Sequence, residues 1–543
     1  MDRAPSPGIA KGKTSELISL GHFIKTWESL PLNLFRFRLI LKTLMHKTLF
    51  LILALSIFWC QAQDSALMKT QVRHTIDELV EFVAIPNDAL NPADINRNIT
   101  WLSDKFSERG FNTSVLPTEG LPLFFAALPM DSKKPTILFY MHFDGQSIDP
   151  SKWDQPDPYK TVLKARAGEG WRSLDFSELN DDIPYEWRLF GRSTSDDKGP
   201  IVMLLNTIDL IRKTGQEIPY NIKVILDGEE EKSSAPLPAA VAQYRELLEA
   251  DYLIISDGPV HVSGQPTIVY GCRGITTMSL TTYGPILPQH SGHYGNYAPN
   301  PGMQLAQILS TMKDAEGRVL IPGYYNGIEL RENELEILQA VPDDAARINA
   351  TLQIKTPEKV GAFYQEALQY PSLNVRGLSS GWVGPEARTI IPSTATAELD
   401  LRLVPESDGT RLKGLVRKHI ESLGYKVTED VPTAEMRAAT AKWVTIDEGS
   451  VTDAFRTSLD HPYGEHLKVL LQETFGQPVV QIRIMGGTVP IAPFVNALEI
   501  PAFLLPLVNP DNNQHSPNEN LKIGQIDYGI RALQALLTTP VAQ

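Results

Sequence analysis

The stretch NIKVILDGEEEKSSAPL, Asn221–Leu237, decides how this chain is read. Its opening NIKVIL is rich in β-branched residues and short, and turn-forming residues bound it, so it reads as a buried strand. Three consecutive glutamates, Glu229, Glu230 and Glu231, follow at its carboxyl end. A glutamate run is usually a solvated face. It does chemistry only where other reactive side chains gather at the same place.

Outward from that stretch the same pattern recurs. PTILFYMHFD (135–144) and DYLIISD (251–257) read as apolar strands, and IPAFLLPLVNP (500–510) as a buried one. Between and around them lie helical patterns at 199–215, 239–250 and 524–537, and an amphipathic helix carrying Val72, Ile76, Leu79, Val80 and Val83 that closes before Pro86. Apolar strands alternating with helices imply an α/β fold, a parallel-rich sheet covered by helices on both faces. The middle differs. GITTMSLTTYG (274–284) and TATAELDLRLVP (394–405) alternate with period two, and TRLKGLVRKHIESLGY (410–425) is helical. This predicts an inserted α+β domain over 271–456, dividing a catalytic domain into 64–270 and 457–543.

At 543 residues the chain is long enough for several domains and a large core. Its net charge of −14 and its lack of a basic block argue against a nucleic-acid surface. No apolar run is long enough for a stable membrane span. MHKTLFLILALSIFWCQAQDS (45–65) has a positive start, an apolar run and a small-x-small cleavage pattern, which together read as a secretory signal peptide over about 45–62. Residues 1–63 are therefore expected to be a leader, with Met45 as the true start and a secreted or periplasmic product. Those 63 residues hold eight Lys/Arg against three Asp/Glu, so the remainder carries −19. Of the two cysteines only Cys272 would survive cleavage, which excludes an intrachain disulfide.

The polar residues collect after the buried strands, where open α/β sheets bind ligands. His142 and Asp144 follow the first strand, Asp196 and Asp197 lie in GRSTSDDKGP, Asp257 follows the third strand, and His515 lies in NPDNNQHSPNENL. Each alone is a common turn or cap residue. Together they form a set of imidazole and carboxylate donors without thiolate, which suits zinc, manganese or cobalt. More than four donors suggest two ions sharing a carboxylate, a pair that can activate a water. One further carboxylate is then needed to take the proton.

The blocks HFD, GRSTSDDKGP, LDGEEE, ISDG, HSG and NQHSPNE resemble, in order, those of the di-zinc aminoacylase/carboxypeptidase G family. YGCRGI, ARTIIP and LRLVP make the carnosine and cytosolic nonspecific dipeptidase branch the nearest likeness. The resemblance implies a peptidase acting on dipeptides or short peptides with a free carboxylate. It implies one metal ion held by His142, Asp196 and Asp257, and a second held by Asp196, Glu231 and His515. Glu230 would be the general base, Asp144 would orient His142, and Glu229 would stand aside. His290, Thr389, Arg402 and Thr488 would contact substrate, and the inserted domain would act as a lid and pair two chains into a homodimer. An N-acyl amino acid deacylase is the alternative on the same site, and a noncatalytic metal- or peptide-binding protein is a second. Thr488 stands where the dipeptidases carry serine, and Lys232-Ser233 replaces their Ser-Gly.

Overall fold

The fold grows from strand β3 (Thr136–His142), every residue of which is buried. In the computed structural model, which describes residues 65–179 and 183–541, β3 lies at the middle of an eight-stranded sheet. Its strands in chain order are β1 (Asn112–Leu116), β2 (Leu123–Ala127), β3, β4 (Asn221–Asp227), β5 (Tyr252–Ile255) and β6 (Thr267–Val269), then, after a long excursion, β12 (Val480–Ile482) and β13 (Ala502–Leu504). The spatial order is β1-β2-β4-β3-β5-β13-β6-β12. The four central strands β4, β3, β5 and β13 run parallel, in register from Thr136 opposite Asn221 to His142 opposite Asp227. β1 and β2 close one edge antiparallel. Pro501 and Pro506, which cannot donate to a ladder, bracket β13 and hold it to three residues.

Helices cover the sheet. Helix α1 spans residues 65–83 and α2 spans Pro92–Glu108. Helix α3 (Lys198–Thr214) is buried along nearly its whole length, as an apolar helix packed on more than one side must be. The last helix, α7 (Ile523–Thr538), crosses α3 at Gly529, where a Cβ would collide with Met203 Sδ. The helix expected over 239–250 is broken into Leu237–Gln243 and Arg245–Leu248. At the start of α3 the ammonium of Lys198, wholly buried, donates to the carbonyls of Phe82 (2.9 Å) and Ile85 (2.7 Å). The end of α1 is thereby fastened beneath the loop that precedes α3.

Between β6 and β12 the chain builds a five-stranded sheet. Its strands are β7 (Gly274–Tyr283), β8 (Ser372–Ser379), β9 (Thr394–Leu403), β10 (Lys426–Thr428) and β11 (Trp443–Thr452), in the order β8-β9-β7-β11-β10. Alternate residues of β7 and β9 are buried, matching their period-two pattern. Helices α4 (Pro301–Ser310) and α6 (Gly409–Ser422) cover the buried face and complete a separate apolar core. The chain passes in and out of this layer through a ribbon pairing Gly271 with Arg456 and Cys272 with Phe455. The strands approach so closely that a Cβ on Gly271 would lie 2.3 Å from the Phe455 carbonyl oxygen.

Not all of residues 271–456 belongs to the second layer. Helix α5 (Glu332–Ala340) packs against β12, and Val341 is part of the large sheet's core. Glu334 there accepts from Arg483 at 3.1 Å, a buried ion pair that the apolar pattern gives no hint of. From Lys69 onward everything packs as one compact unit. The leader and signal-peptide reading falls on residues 1–63, outside the described residues. Among the described residues no helix is long and apolar enough to cross a membrane.

Candidate metal centre

Parallel strands end together, so the loops leaving their carboxyl ends are brought to one place. His142 is the last residue of β3, Glu229–Glu231 follow β4, and Asp257 comes two residues after β5. Asp196 lies just before α3 and is joined to Asp197 by a cis peptide bond. His515, in the left-handed region at φ 60°, comes from the loop after β13.

These side chains converge in two groups that share Asp196. Donor atoms of His142, Asp196 and Asp257 lie within 4.8 Å of one another, and so do those of Asp196, Glu231 and His515. His142 Nε2 is 2.9 Å from Asp196 Oδ1, and His515 Nε2 is 3.1 Å from Asp196 Oδ2 and 3.4 Å from Glu231 Oε2. The last contacts are off hydrogen-bond alignment, and Asp196 Oδ2 is buried without a hydrogen-bond partner among the described residues. Such convergence of imidazole nitrogen and carboxylate oxygen fits divalent cations bound by N and O donors.

The electrostatics point the same way. Burial, then the charge of Asp196, pushes Asp257 up to about 6 and Glu231 up to about 7. Glu230 is raised well above the ordinary carboxylate value by burial, opposed by His142 and reinforced by Asp257 and Glu231. His515 is raised to about 9, chiefly by its contact with Asp196. Burial favours the neutral ring of His142, but Asp144 and Asp196 outweigh it and raise that pKa well above the usual one. Crowding raises the proton affinity of these carboxylates, and a cation's charge would relieve the same repulsion.

Asp144, wholly buried, organises the strand ends. One oxygen sits 3.2 Å from His142 Nδ1 and also accepts from the Glu230 N–H at 3.1 Å, while the other accepts from the Glu231 N–H at 3.0 Å. Imidazole orientation by a carboxylate is what a metal-binding histidine requires. Asp227 shapes the same turn, accepting from the Glu229 N–H and the Ser234 hydroxyl. Glu229 turns elsewhere and accepts from the Leu121 N–H at 3.3 Å. The three adjacent glutamates are thus divided by their backbone.

The four expected substrate contacts fall into two pairs. Arg402 on β9 donates to the Thr488 hydroxyl at 2.9 Å, and that hydroxyl donates to the Arg273 carbonyl at 2.7 Å. His290 and Thr389 lie on adjoining short segments, where the Ser291 N–H bonds the Thr389 carbonyl, and both side chains are exposed. Neither has a hydrogen bond or ion pair to the two metal-donor groups among the described residues.

Three residues with positions in the site receive no role from the sequence alone. Gln146 donates to Glu231 Oε2 at 2.6 Å, and Asp197 accepts from the His142 N–H at 3.3 Å. Glu519 is the third, wholly buried. It accepts from the N–H groups of Ser193, Ser195 and Asp196, the Ser195 hydroxyl and Arg192 Nη1, all within 2.7–3.0 Å. It ties the loop of Asp196 to that of His515. Asp197 and Glu519 lie inside the sequence blocks SDDKGP and NQHSPNE, which is the signal the sequence offers for them.

Glu519→Ala leaves Arg192 buried without its anion, and is expected to destabilise the metal-free protein by about 3–5 kcal/mol in urea unfolding. Adding Arg192→Met should recover part of that loss. A double variant no more stable than Glu519→Ala would show that the pair is not the source.

Residues 138–539 match Peptidase family M20/M25/M40. The chain is 24% identical over 490 residues to Cys-Gly metallodipeptidase DUG1 of Saccharomyces cerevisiae, covering 87% of this chain and 95% of that protein. It is 26% identical over 480 residues to Beta-Ala-His dipeptidase of Homo sapiens, covering 83% and 87%. Among solved structures, the M20 family metallo-carboxypeptidase Sso-CP2 of Sulfolobus solfataricus superposes with TM-score 0.69 at 26% identity, over 86% of this chain and 98% of that one. With the match extending from within β3 to the end of α7, the chain belongs to peptidase family M20/M25/M40.

Proposed function

We propose that the protein is a metal-dependent dipeptidase that hydrolyses the amide bond of short peptides bearing a free carboxylate. The observation that carries this reading is the pair of three-donor groups sharing Asp196, with the proton-avid Glu230 beside them. The names of its relatives, Cys-Gly metallodipeptidase and Beta-Ala-His dipeptidase, support it. His142, Asp196 and Asp257 would hold one divalent ion and Asp196, Glu231 and His515 a second. Zinc is the expected metal, and the same donors accept manganese or cobalt.

When bound, two such ions polarise the scissile carbonyl and make a water acidic enough to attack at neutral pH. This chain's own residues then do the rest. Glu230 takes a proton from the attacking water, whose oxygen bonds the carbonyl carbon. As the C–N bond breaks, Glu230 returns that proton to the leaving nitrogen. Asp144 fixes the His142 ring and the amides of Glu230 and Glu231, so base and donors keep one geometry. Arg402 grips the substrate carboxylate and Thr488 holds the guanidinium in place.

Residues 271–456 would supply a lid that pairs two chains. β8 is an edge strand whose Val375 and Leu378 are exposed, and the turn after it presents Trp382 and Val383. An apolar unpaired edge of this kind invites a second copy. His290 would then act across the interface on the partner's substrate. Secretion through the signal peptide at about 45–62 completes the proposal.

Glu230→Gln should keep two ions per chain by elemental analysis yet lose about 10²–10⁴-fold in kcat. Chelation should abolish activity, and zinc, manganese or cobalt should restore it. A panel of dipeptides and N-acetyl amino acids on the reconstituted enzyme decides between peptidase and deacylase: cleavage of the acetylated set alone would overturn the assignment. Sedimentation should show a dimer, and V375K/L378E should convert it to a monomer; an unaltered dimer excludes this edge. Sequencing the N-terminus of exported protein should begin near Gln63, and a start upstream of Met45 rules the leader out.

A further inference from the structure

A small cavity lies beside the ribbon through which the chain enters the five-stranded sheet, against the start of β8. It is lined by Arg273, Tyr325, Tyr364, Leu368 and Tyr370, with the Lys313–Glu358 ion pair at its rim, and its volume is about 190 Å³. That is below the roughly 300 Å³ of whole small-molecule sites, and suits a single side chain.

The cavity holds an unanswered charge. Five arginines are buried among the described residues. Arg109 pairs with Glu78, Arg188 with Asp511, Arg192 with Glu519 and Arg483 with Glu334. Arg273, 7% exposed, has no carboxylate within ion-pair distance among the described residues. Its Nη2 donates to the Tyr370 carbonyl at 2.6 Å, and its Nε is buried without a partner among the described residues. Burial and the neighbouring Arg402 push it down to about 10, so it stays cationic at neutral pH. Burying an arginine without an anion is unfavourable, so an anion entering the cavity would be stabilised there.

The neighbours say which anion. The Arg273 carbonyl accepts from the Thr488 hydroxyl, which in turn accepts from Arg402. Ser372, also in the cavity wall, is the cross-strand partner of Arg402. Leu368, on the cavity's wall, lies 3.7 Å from where a Cβ of Gly486 would be, so the cavity borders the 486–490 loop. Arg402, the residue proposed for the α-carboxylate, and Arg273 are thus neighbours joined through the Thr488 hydroxyl.

We propose that this cavity receives the side chain of the substrate's C-terminal residue and that Arg273 selects an acidic one. The substrates favoured are then dipeptides ending in glutamate or aspartate. The inference rests on the dipeptidase reading, with Arg402 at the α-carboxylate. Tyrosine rings supply the walls for the methylene stem, and the guanidinium supplies a charge-assisted partner for the terminal carboxylate. An amide in its place is isosteric and uncharged, so it measures the charge alone.

The test compares Ala-Glu with Ala-Gln, and Ala-Asp with Ala-Asn, on metal-reconstituted full-chain enzyme. The acidic member should exceed its amide by at least about tenfold in kcat/KM. In Arg273→Met that ratio should fall to near one, while Arg273→Lys should keep part of it. Because the ratio is taken within one preparation, partial misfolding of a variant does not alter it. A wild-type ratio near one, or a ratio intact in Arg273→Met, overturns the assignment. Failure to cleave any dipeptide would instead overturn the dipeptidase reading. In that event calorimetry with L-glutamate against L-glutamine judges the cavity, and equal affinities overturn it.

Discussion

The buried carboxylate of Asp144 is the contact on which the site depends. Two parallel strands end side by side, His142 on β3 opposite Asp227 on β4, and their following loops must be held a few ångströms apart. Asp144 does this with one group, facing the His142 ring and accepting from two successive amides of the glutamate turn. A carboxylate buried among other carboxylates is unfavourable unless donors surround it. Its three donors meet that condition, and in meeting it they set the direction in which Glu230 and Glu231 project.

Glu519 applies the same physics to the other half. His515 and Asp196 are separated by more than three hundred residues, and only a strong local tie keeps their donor atoms in register. Glu519 receives five donors, three of them backbone amides in the loop that ends at Asp196. Lys198 works just beyond, fastening the start of α3 to the end of α1. The centre is therefore assembled from rigid strand ends on one side and two loops locked by a buried ion pair on the other. Its own side chains need little ordering when ions arrive.

How much of this is legible in the sequence depends on how locally each feature is encoded. β3, β4 and β5 are apolar on both faces and announce a covered parallel sheet, and β7 and β9 alternate visibly. The placement of reactive residues after those strands is legible for the same reason. β1 is not, because an antiparallel edge strand reading NTSVL buries a single residue. The packing of α5 on the large sheet is also hidden, since it rests on Glu334 meeting Arg483 across about 150 positions. The blocks around Asp197 and Glu519 mark their positions but not their roles, and nothing marks Gln146, because the work of all three is hydrogen bonding at a distance, which no spacing rule reports. The break at Tyr244 in the helix expected over 239–250 has no sequence signal that we can name.

The glutamate run shows how a backbone gives unequal roles to identical side chains. A uniform charge run would repel itself and spread into solvent. Here Asp227 ties down the Glu229 N–H, and the side chain of Glu229 turns to the Leu121 amide. The next two amides face Asp144 instead, so their side chains project toward Asp196, Asp257 and the histidines. Glu231 meets His515 and Gln146, which hold its carboxylate in the geometry proposed for a metal donor. Glu230 makes no side-chain hydrogen bond or ion pair among the described residues, and burial with the like charge of Asp257 and Glu231 raises its proton affinity, as the proposed base requires. Composition alone could not distinguish them: the amide hydrogen bonds set Glu229 apart, and the side-chain contacts of Glu231 set it apart from Glu230.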